Sequence, residues 1–393
     1  MKEVRIGVIG FGNMGSAHAH CIGSGKIQGL CLTAICDTDE MRRKLAKEVY
    51  PDVLVVNSCE KLFESGVTDA VIIATPHYAH PEIGIKAFAA GQHVLTEKPI
   101  AVSVSEGERL IRAAEEAGTV FAIMFNQRTN NLYRKAKELV ESGALGPLKR
   151  VVWIITNWYR TQSYYDSGSW RATWGGEGGG VLLNQAPHNL DLLQWICGMP
   201  VSLLARCEAG KYHQIEVEDN AEIYGELENG ATVTFLASTG EYPGTNRLEI
   251  SGGLGKLVIE NGTLKWWKSA VPEREYCFHS EDYGELPQVT LEEYQEERNE
   301  SDHGIILQNF ADAIRKKEKL IAAGEEGIRE LMISNGAYYS SWTHSLVELP
   351  VDREAFDRLL REKQEQSVYG AREKQSPGQA LTAEYKEKWR VKW

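Results

Sequence analysis

The sequence predicts an α/β protein in two parts: a parallel sheet layered between helices, then an α+β region built on a large, mostly antiparallel open sheet. Three observations carry this. Short continuous apolar runs alternate with helical stretches as far as about Phe125, the pattern of parallel strands covered on both faces. The first run, beginning at Val4, leads straight into Gly10-Phe11-Gly12-Asn13-Met14-Gly15. Beyond Gly146-Pro147 the pattern shifts to longer strands and Asn-Gly turns.

The opening stretch reads as strand, tight turn, helix and second strand, which is the Rossmann arrangement for a dinucleotide. Gly10 permits the turn, Gly12 lets the backbone approach a pyrophosphate, and Gly15 lets the helix pack closely on the strand. Free amides at the helix start face the phosphates, where the helix dipole favours negative charge. Asp37 follows Gly15 at about the 20-residue interval at which an acid meets the ribose hydroxyls. A 2′-phosphate there would meet like charge, so NAD is expected over NADP. Arg42 and Arg43 either accommodate such a phosphate or lie on a solvated helix face.

Thr38 and Asp39 can cap a helix over Glu40 to Val49, and Ala70 to Ala74 is a short apolar strand. His80 to Ala90 reads as a helix closed by Gly91, followed by a strand over His93 to Thr96. Ser103 starts a helix over Val104 to Ala117, Gly118 ends it, and Val120 to Met124 is again a strand. In parallel sheets ligands sit at the carboxyl ends of the strands. Three polar clusters fall there: Thr75-Pro76-His77, Glu97-Lys98-Pro99 and Asn126-Gln127-Arg128. From the nucleotide domain, residues 1–126, we expect Thr75, Pro76, His77, His80, Glu97, Lys98 and Asn126 to join the glycine turn around NAD.

A second domain, residues 127–350, opens with a long strand, Leu148 to Trp158. Asn229-Gly230 and Asn261-Gly262 mark two hairpins, each supplying positive φ angles. Helices are expected over Pro187 to Cys197, Ile305 to Lys316 and Glu325 to Ser345, then a strand over Leu346 to Leu349. Residues 351–393 carry a charged helix, Asp352 to Gln366, and a polar tail. The acidic stretch from Pro272 to Asp302 reads as a solvated excursion from the fold.

A net charge of −12 argues against nucleic acid or anionic membrane as partners. Seven cysteines without a CxxC suggest neither a disulfide framework nor a metal site, and fit buried small hydrophobes in a reducing cytoplasm. No apolar signal region precedes the first strand, and no stretch approaches membrane-spanning length, so a cytoplasmic protein is expected. Trp158, Arg160, Tyr164, Tyr165, Trp170, Arg171 and Trp174 crowd a polar segment that suits sugar recognition, ring faces covering the apolar face of a pyranose. About half are expected to face substrate and the rest to pack.

The glycine fingerprint, Glu97-Lys98-Pro99 and Gly178-Gly179-Gly180-Val-Leu-Leu-Asn184-Gln185-Ala-Pro-His188-Asn-Leu-Asp191 together resemble the glucose-fructose oxidoreductase, inositol dehydrogenase and MocA (Gfo/Idh/MocA) family, over the chain as far as about residue 350. That resemblance implies a sugar or polyol oxidised between a Rossmann domain and an open-sheet domain. It also implies a cis peptide at Lys98-Pro99 and a catalytic pair, Lys98 and His188. The roles suit the residue types: oxidising a secondary alcohol takes a hydride acceptor, a base for the hydroxyl proton and positive charge near the developing alkoxide. Asp191, on the same helix face as His188, either orients the ring or makes a hydrogen bond behind it.

Asn184 stands where many members carry an aspartate; asparagine hydrogen-bonds but brings no charge. The expected substrate contacts are Lys98, Arg128, Trp158, Arg160, Trp170, Arg171, Asn184, Gln185 and His188, with Gln185 compensating for Asn184. The Asn-Gln form with these tryptophans is similar to members that oxidise carbon 3 of glycosides. Two competing readings are an NAD-recycling glycoside lyase or hydrolase that oxidises transiently, and a non-catalytic NAD-binding regulator. A homodimer or homotetramer is expected, built through a face carrying Val151, Trp153, Ile155 and Phe235, with a tail holding Trp389 and Trp393 docked on its own or a neighbouring subunit.

Overall fold

The computed structural model describes residues 3–281, 284–297 and 302–369. Six parallel strands, β1 (Val4–Ile9), β2 (Leu30–Cys36), β3 (Leu54–Val56), β4 (Ala70–Ile73), β5 (His93–Thr96) and β6 (Phe121–Ile123), form a sheet in the order 3-2-1-4-5-6. Helices α1 (Asn13–Gly23), α2 (Glu40–Val49), α3 (Cys59–Glu64), α4 (Ala79–Ala89) and α5 (Val104–Ala117) alternate with them. Local chemistry sets the helix ends. The Asp39 side chain accepts from the Arg42 amide, Ser103 accepts from the Glu106 amide, and Gly118 ends α5 in the left-handed conformation at φ 63°. Chain order reverses between β1 and β4, and the loops after β1, β4, β5 and β6 gather at one edge of the sheet.

A 3₁₀ turn (Asn126–Thr129) and α6 (Asn131–Glu141) lead into the second sheet. Its strands are β7 (Leu148–Ile155), β8 (Pro200–Ala209), β9 (Glu218–Leu227), β10 (Thr232–Ser238), β11 (Asn246–Gly252), β12 (Gly255–Glu260), β13 (Thr263–Ser269), β14 (Val289–Gln295) and β15 (Val347–Glu348), in the order 14-13-12-11-7-10-9-8-15. The pairs are antiparallel except β7 with β10. Interspersed are α7 (Gln162–Tyr165), α8 (Pro187–Cys197), α9 (Glu273–His279), α10 (Asp302–Lys316), α11 (Gly327–Thr343) and α12 (Arg353–Glu365). The β12–β13 hairpin has both Asn261 and Gly262 at positive φ. In the longer β9–β10 turn only Gly230 does, and Asn229 instead accepts the Ala231 amide with its side chain.

Several expectations need correcting. Val151, Trp153, Ile155 and Phe235 are fully buried within one chain, because that sheet face lies under the protein's own helices: Trp153 packs on Tyr133 of α6. The face that the described residues leave open is the opposite one. It carries Leu204 (47% exposed) and Tyr224 (53% exposed) around a shallow hollow of about 730 Å³. The acidic stretch is solvent-facing as expected, yet part of it belongs to the fold. Val289–Gln295 pairs with β13 as the edge strand, where β-prone Val, Thr, Leu and Tyr meet solvent with glutamates between them. Cys31 and Cys277 are exposed, since each lies on a solvent-facing position of its element.

The domain boundary is also crossed twice. Ile306, Leu307, Phe310 and Ala311 of α10 join the core of the first sheet, and Ala323 bridges Ala122. The late chain therefore returns to the nucleotide domain, where α10 buries its apolar stripe. Past α12, Ser367 and Val368 bond to Glu216, and Ser367 Oγ accepts the Gly175 amide. Trp389 and Trp393 lie outside the described residues.

Candidate active site

The glycine turn fits a dinucleotide on steric grounds. A Cβ on Gly10, at φ 90°, would come within 2.5 Å of the Ala74 carbonyl oxygen, and one on Gly15 within 1.7 Å of the Gly10 oxygen. At Gly12 the nearest atom would be Arg42 Nη1 at 3.4 Å, so that side of the turn is open. Helix α1 starts at Asn13 with no side-chain cap, which leaves the first amides to a ligand. Phe11, Asn13 and Met14 supply the backbone between the glycines. Asp37 stands at the tip of β2, accepting from the Phe11 amide at 2.6 Å and the Asp39 amide at 2.8 Å. Arg42 Nη1 lies 3.7 Å from its Oδ2, while Arg43 donates to the carbonyls of Asp37 and Thr38.

The loops after β4 and β5 are tied together from beneath. His80, fully buried, contacts the Pro99 and Thr75 carbonyl oxygens, each at 2.8 Å. With both ring nitrogens used on backbone, His80 positions the Thr75-Pro76-His77 loop and does not reach a cofactor itself. Glu97 is likewise buried and meets Nε2 of His18, a residue one helix turn after Gly15, at 2.7 Å. Burial opposes ionisation of Glu97, but the His18 hydrogen bond and nearby positive groups hold its carboxyl at about 2. Asn126 lies beside His303 of α10 at 3.4 Å, so the returning helix also touches this edge.

Three side chains of the nucleotide domain donate across the interdomain joint to carbonyls of one segment. Lys98 Nζ reaches Asn184 O at 2.6 Å, His77 Nδ1 lies 2.9 Å from Glu177 O, and the Tyr78 hydroxyl donates to Trp174 O at 2.7 Å. Lys98-Pro99 is cis. From the other side the segment is held by Glu218, whose carboxylate accepts the Gly180 and Leu182 amides and the Tyr338 hydroxyl. His188 follows at the first turn of α8, with Phe125 edge-on at 6.2 Å. Its Nδ1 is buried without a hydrogen-bond partner among the described residues. Burial first, and the Lys98 charge second, push His188 down to about 3, so it is neutral at pH 7. Burial also lowers Lys98, while Glu97, Glu330 and Glu177 act to raise it.

The expected sugar contacts separate into two groups. Trp158, Arg160, Tyr164, Arg171 and Trp170 form a continuous layer of rings and guanidinium groups, each arginine 4.5 to 5.6 Å from two ring centres, ending where Trp170 meets His77. Gln185 Nε2 and Arg171 both donate to the Tyr164 hydroxyl. Trp174 and Tyr165 are packing residues, Trp174 lying against Tyr338 and Trp342 and Tyr165 bonding to Thr239. Arg128 is a correction. It is 1% exposed, bidentate on Asp191 and paired with Glu326, so no face remains for substrate. The same pairing decides Asp191: its oxygens serve Arg128 and Gln194 and do not orient His188.

Sequence reading missed His18, Tyr78, Glu177 and Glu330. Glu177 borders the glycine run and His18 follows Gly15 by one turn, so both had a positional signal. Glu330 had none: it is buried on α11 with neither carboxyl oxygen hydrogen-bonded among the described residues, and burial pushes it well above the usual carboxylate range.

Known proteins share this architecture. Residues 4–125 match the NAD-binding Rossmann fold of the GFO/IDH/MocA oxidoreductase family, and residues 133–258 match that family's C-terminal domain. A scyllo-inositol 2-dehydrogenase (NADP(+)) of Bacillus subtilis (strain 168) is 25% identical over 87% of this chain and 94% of its own length. A myo-inositol 2-dehydrogenase of Thermotoga maritima is 29% identical over 66% of this chain and 75% of its own. The WlbA dehydrogenase from Bordetella pertussis, solved with NADH and UDP-GlcNAcA, superposes with a TM-score of 0.77 at 26% identity, covering 89% of this chain and all of that one.

Proposed function

The chain belongs to the GFO/IDH/MocA family of NAD-binding oxidoreductases, and on that premise we propose that it oxidises a secondary hydroxyl of a sugar, glycoside or polyol, carbon 3 of a glycoside being one candidate position, with Lys98 and His188 as the catalytic pair. The observation that carries this reading is the junction where Lys98, from the nucleotide domain, is held beside the segment that leads into His188. Bound nicotinamide supplies the hydride acceptor. Neutral His188 can accept the hydroxyl proton, its desolvated ring needing no prior deprotonation at pH 7. The Lys98 ammonium donates to the oxygen as negative charge develops there. Gln185, Tyr164 and the Trp158 to Trp170 layer provide donors and ring faces for a polyhydroxylated substrate, and likeness to the two inositol dehydrogenases supports that class.

Asp37 favours NAD over NADP in this reading, through repulsion of a 2′-phosphate. The open sheet face around Leu204 and Tyr224 supports pairing with a second copy, and seven cysteines without a disulfide fit a reducing cytoplasm. Among the described residues no helix is long and apolar enough to cross a membrane.

Incubation with NAD and a panel of inositols, sugars and glycosides tests the activity. Net NADH is the expected result. Cleavage of a glycoside without net NADH would turn the reading to a transient-oxidation lyase, and NAD binding without any reaction would turn it to a regulator. Lys98→Ala and His188→Ala are each expected to lower turnover by about two to four orders of magnitude while NAD binding persists; normal turnover in either would remove its role.

A further inference from the structure

Asn184 lies half-buried in the cleft at the junction of the two domains, four residues before His188, and its backbone amide donates to the Gly180 carbonyl at 2.8 Å. Its carbonyl oxygen accepts from Lys98 Nζ at 2.6 Å, and its Nδ2 donates to Glu177 Oε1. Oδ1 has no protein partner among the described residues, and it is not among the atoms sealed from solvent. Glu177 itself is 2% exposed, and its second oxygen accepts the Ala172 amide at 2.6 Å. An ionised carboxylate only accepts hydrogen bonds. Burial pushes the Glu177 carboxyl above its ordinary value, opposed by the Arg171 charge, the Ala172 amide, Asn184 and the Lys98 charge; with Glu177 ionised, the amide has one orientation available, nitrogen toward Glu177 and oxygen toward the cleft.

We propose that Glu177 is a positioning residue that makes Asn184 a fixed hydrogen-bond acceptor for a substrate hydroxyl and supplies, from behind, the negative charge that an asparagine at this position lacks. The pair does in two residues what one aspartate would do in one: an oxygen faces the substrate and a negative charge sits near Lys98. This deepens the dehydrogenase reading above and rests on it for the identity of the ligand as a polyol or sugar. The groups whose charge acts on Lys98 besides Glu177 are Glu97, Glu330 and Arg171; His77 and His188 lie within reach of the Lys98 charge and are held neutral by burial.

Three variants test this: Glu177→Gln, Asn184→Asp, and the two combined. In Glu177→Gln the new amide gives its oxygen to Ala172 and its nitrogen to residue 184, which turns Asn184 over and presents a donor to the cleft. A fall in kcat/KM of about 10- to 100-fold is expected, the scale of one mismatched buried hydrogen bond. Asn184→Asp sets two carboxylates in contact and is expected to lose activity as well. In the double variant the amide introduced at position 177 donates to the carboxylate introduced at position 184, whose other oxygen faces the cleft. There kcat/KM is expected to return to within about threefold of wild type, an essentially repaired hydrogen bond. A double variant no better than Asn184→Asp alone would overturn the proposal, and that comparison stands even if Glu177→Gln does not fold. A second readout needs no sugar: the ionisation of Lys98 in the NAD-loaded protein, followed by the pH dependence of its acetylation in peptide mass spectra. It is expected to move to lower pH in Glu177→Gln and to return in the double variant; an unmoved Lys98 would overturn the proposal. If wild type oxidised no sugar at all, the dehydrogenase reading would fail while this measurement still decided the pair.

Discussion

Lys98 Nζ donates to the carbonyl oxygen of Asn184 at 2.6 Å, so the cation carried at the end of β5 is aimed by the backbone of the other domain. The lysine brings the charge, and the segment before α8 fixes where it points.

The proposed catalytic roles of Lys98 and His188 call for a pH profile with a definite sign. His188 must be neutral to accept a proton, and it loses that form only as pH falls through about 3. Lys98 must be charged, and it loses that form as pH rises through a value that burial sets below the ordinary 10.5. Measured kcat/KM should therefore show no His188 limb near 6.5, the ordinary histidine value, and should decline on the basic side earlier than a free lysine would. Lys98→Arg should remove the basic limb whatever activity remains, since guanidinium stays charged. An acid limb near 6.5 that disappears in His188→Gln would show an imidazole that charges normally.

Asp37→Ser should narrow the NAD over NADP preference by about one to two orders of magnitude, by removing the carboxylate that repels a 2′-phosphate. Arg42, already 3.7 Å from that carboxylate, is placed to meet the phosphate instead. Titrating both cofactors into wild type and variant checks this. A wild type that prefers NADP would reverse the role given to Asp37.

Arg128→Met should cost stability more than substrate affinity. The change leaves Asp191 buried without its bidentate partner, a loss of about 3 to 5 kcal/mol when one member of a buried pair is removed. Urea unfolding and sugar KM, measured together, separate the effects. A stable variant with a tenfold higher KM would return Arg128 to the substrate site.

Assembly should depend on the open face of the large sheet. Light scattering at micromolar concentration is expected to give a multiple of the 43.9 kDa chain mass, and Leu204→Glu with Tyr224→Glu to return it to one chain. A single-chain mass for wild type would rule the assembly out.

Read alone, the sequence determined the elements whose information is local. Gly10 and Gly15 announce the nucleotide turn because backbone sterics at those two positions admit nothing larger, and Gly12 between them leaves one side of the turn open. Ser103 and Gly118 bracket α5, and Pro187 to Cys197 is α8 at both ends, because caps act on neighbouring amides and carbonyls. That Lys98 and His188 belong together as candidates was legible through the motifs around them, and the structure brings Lys98 to the segment that leads into His188. What depends on distant partners was not. Arg128 looks like a substrate contact at a strand end until Asp191 and Glu326, far along the chain, close around it. His80 looks like a ligand-facing residue until Thr75 and Pro99 occupy its two nitrogens. Val151, Trp153 and Ile155 announce that a strand face must be covered, yet alternation cannot say whether the cover is the protein's own helices or a second subunit. Burial, charge pairing and the direction of an amide such as Asn184 are properties of the groups that meet in space, and only the tertiary structure brings those groups together.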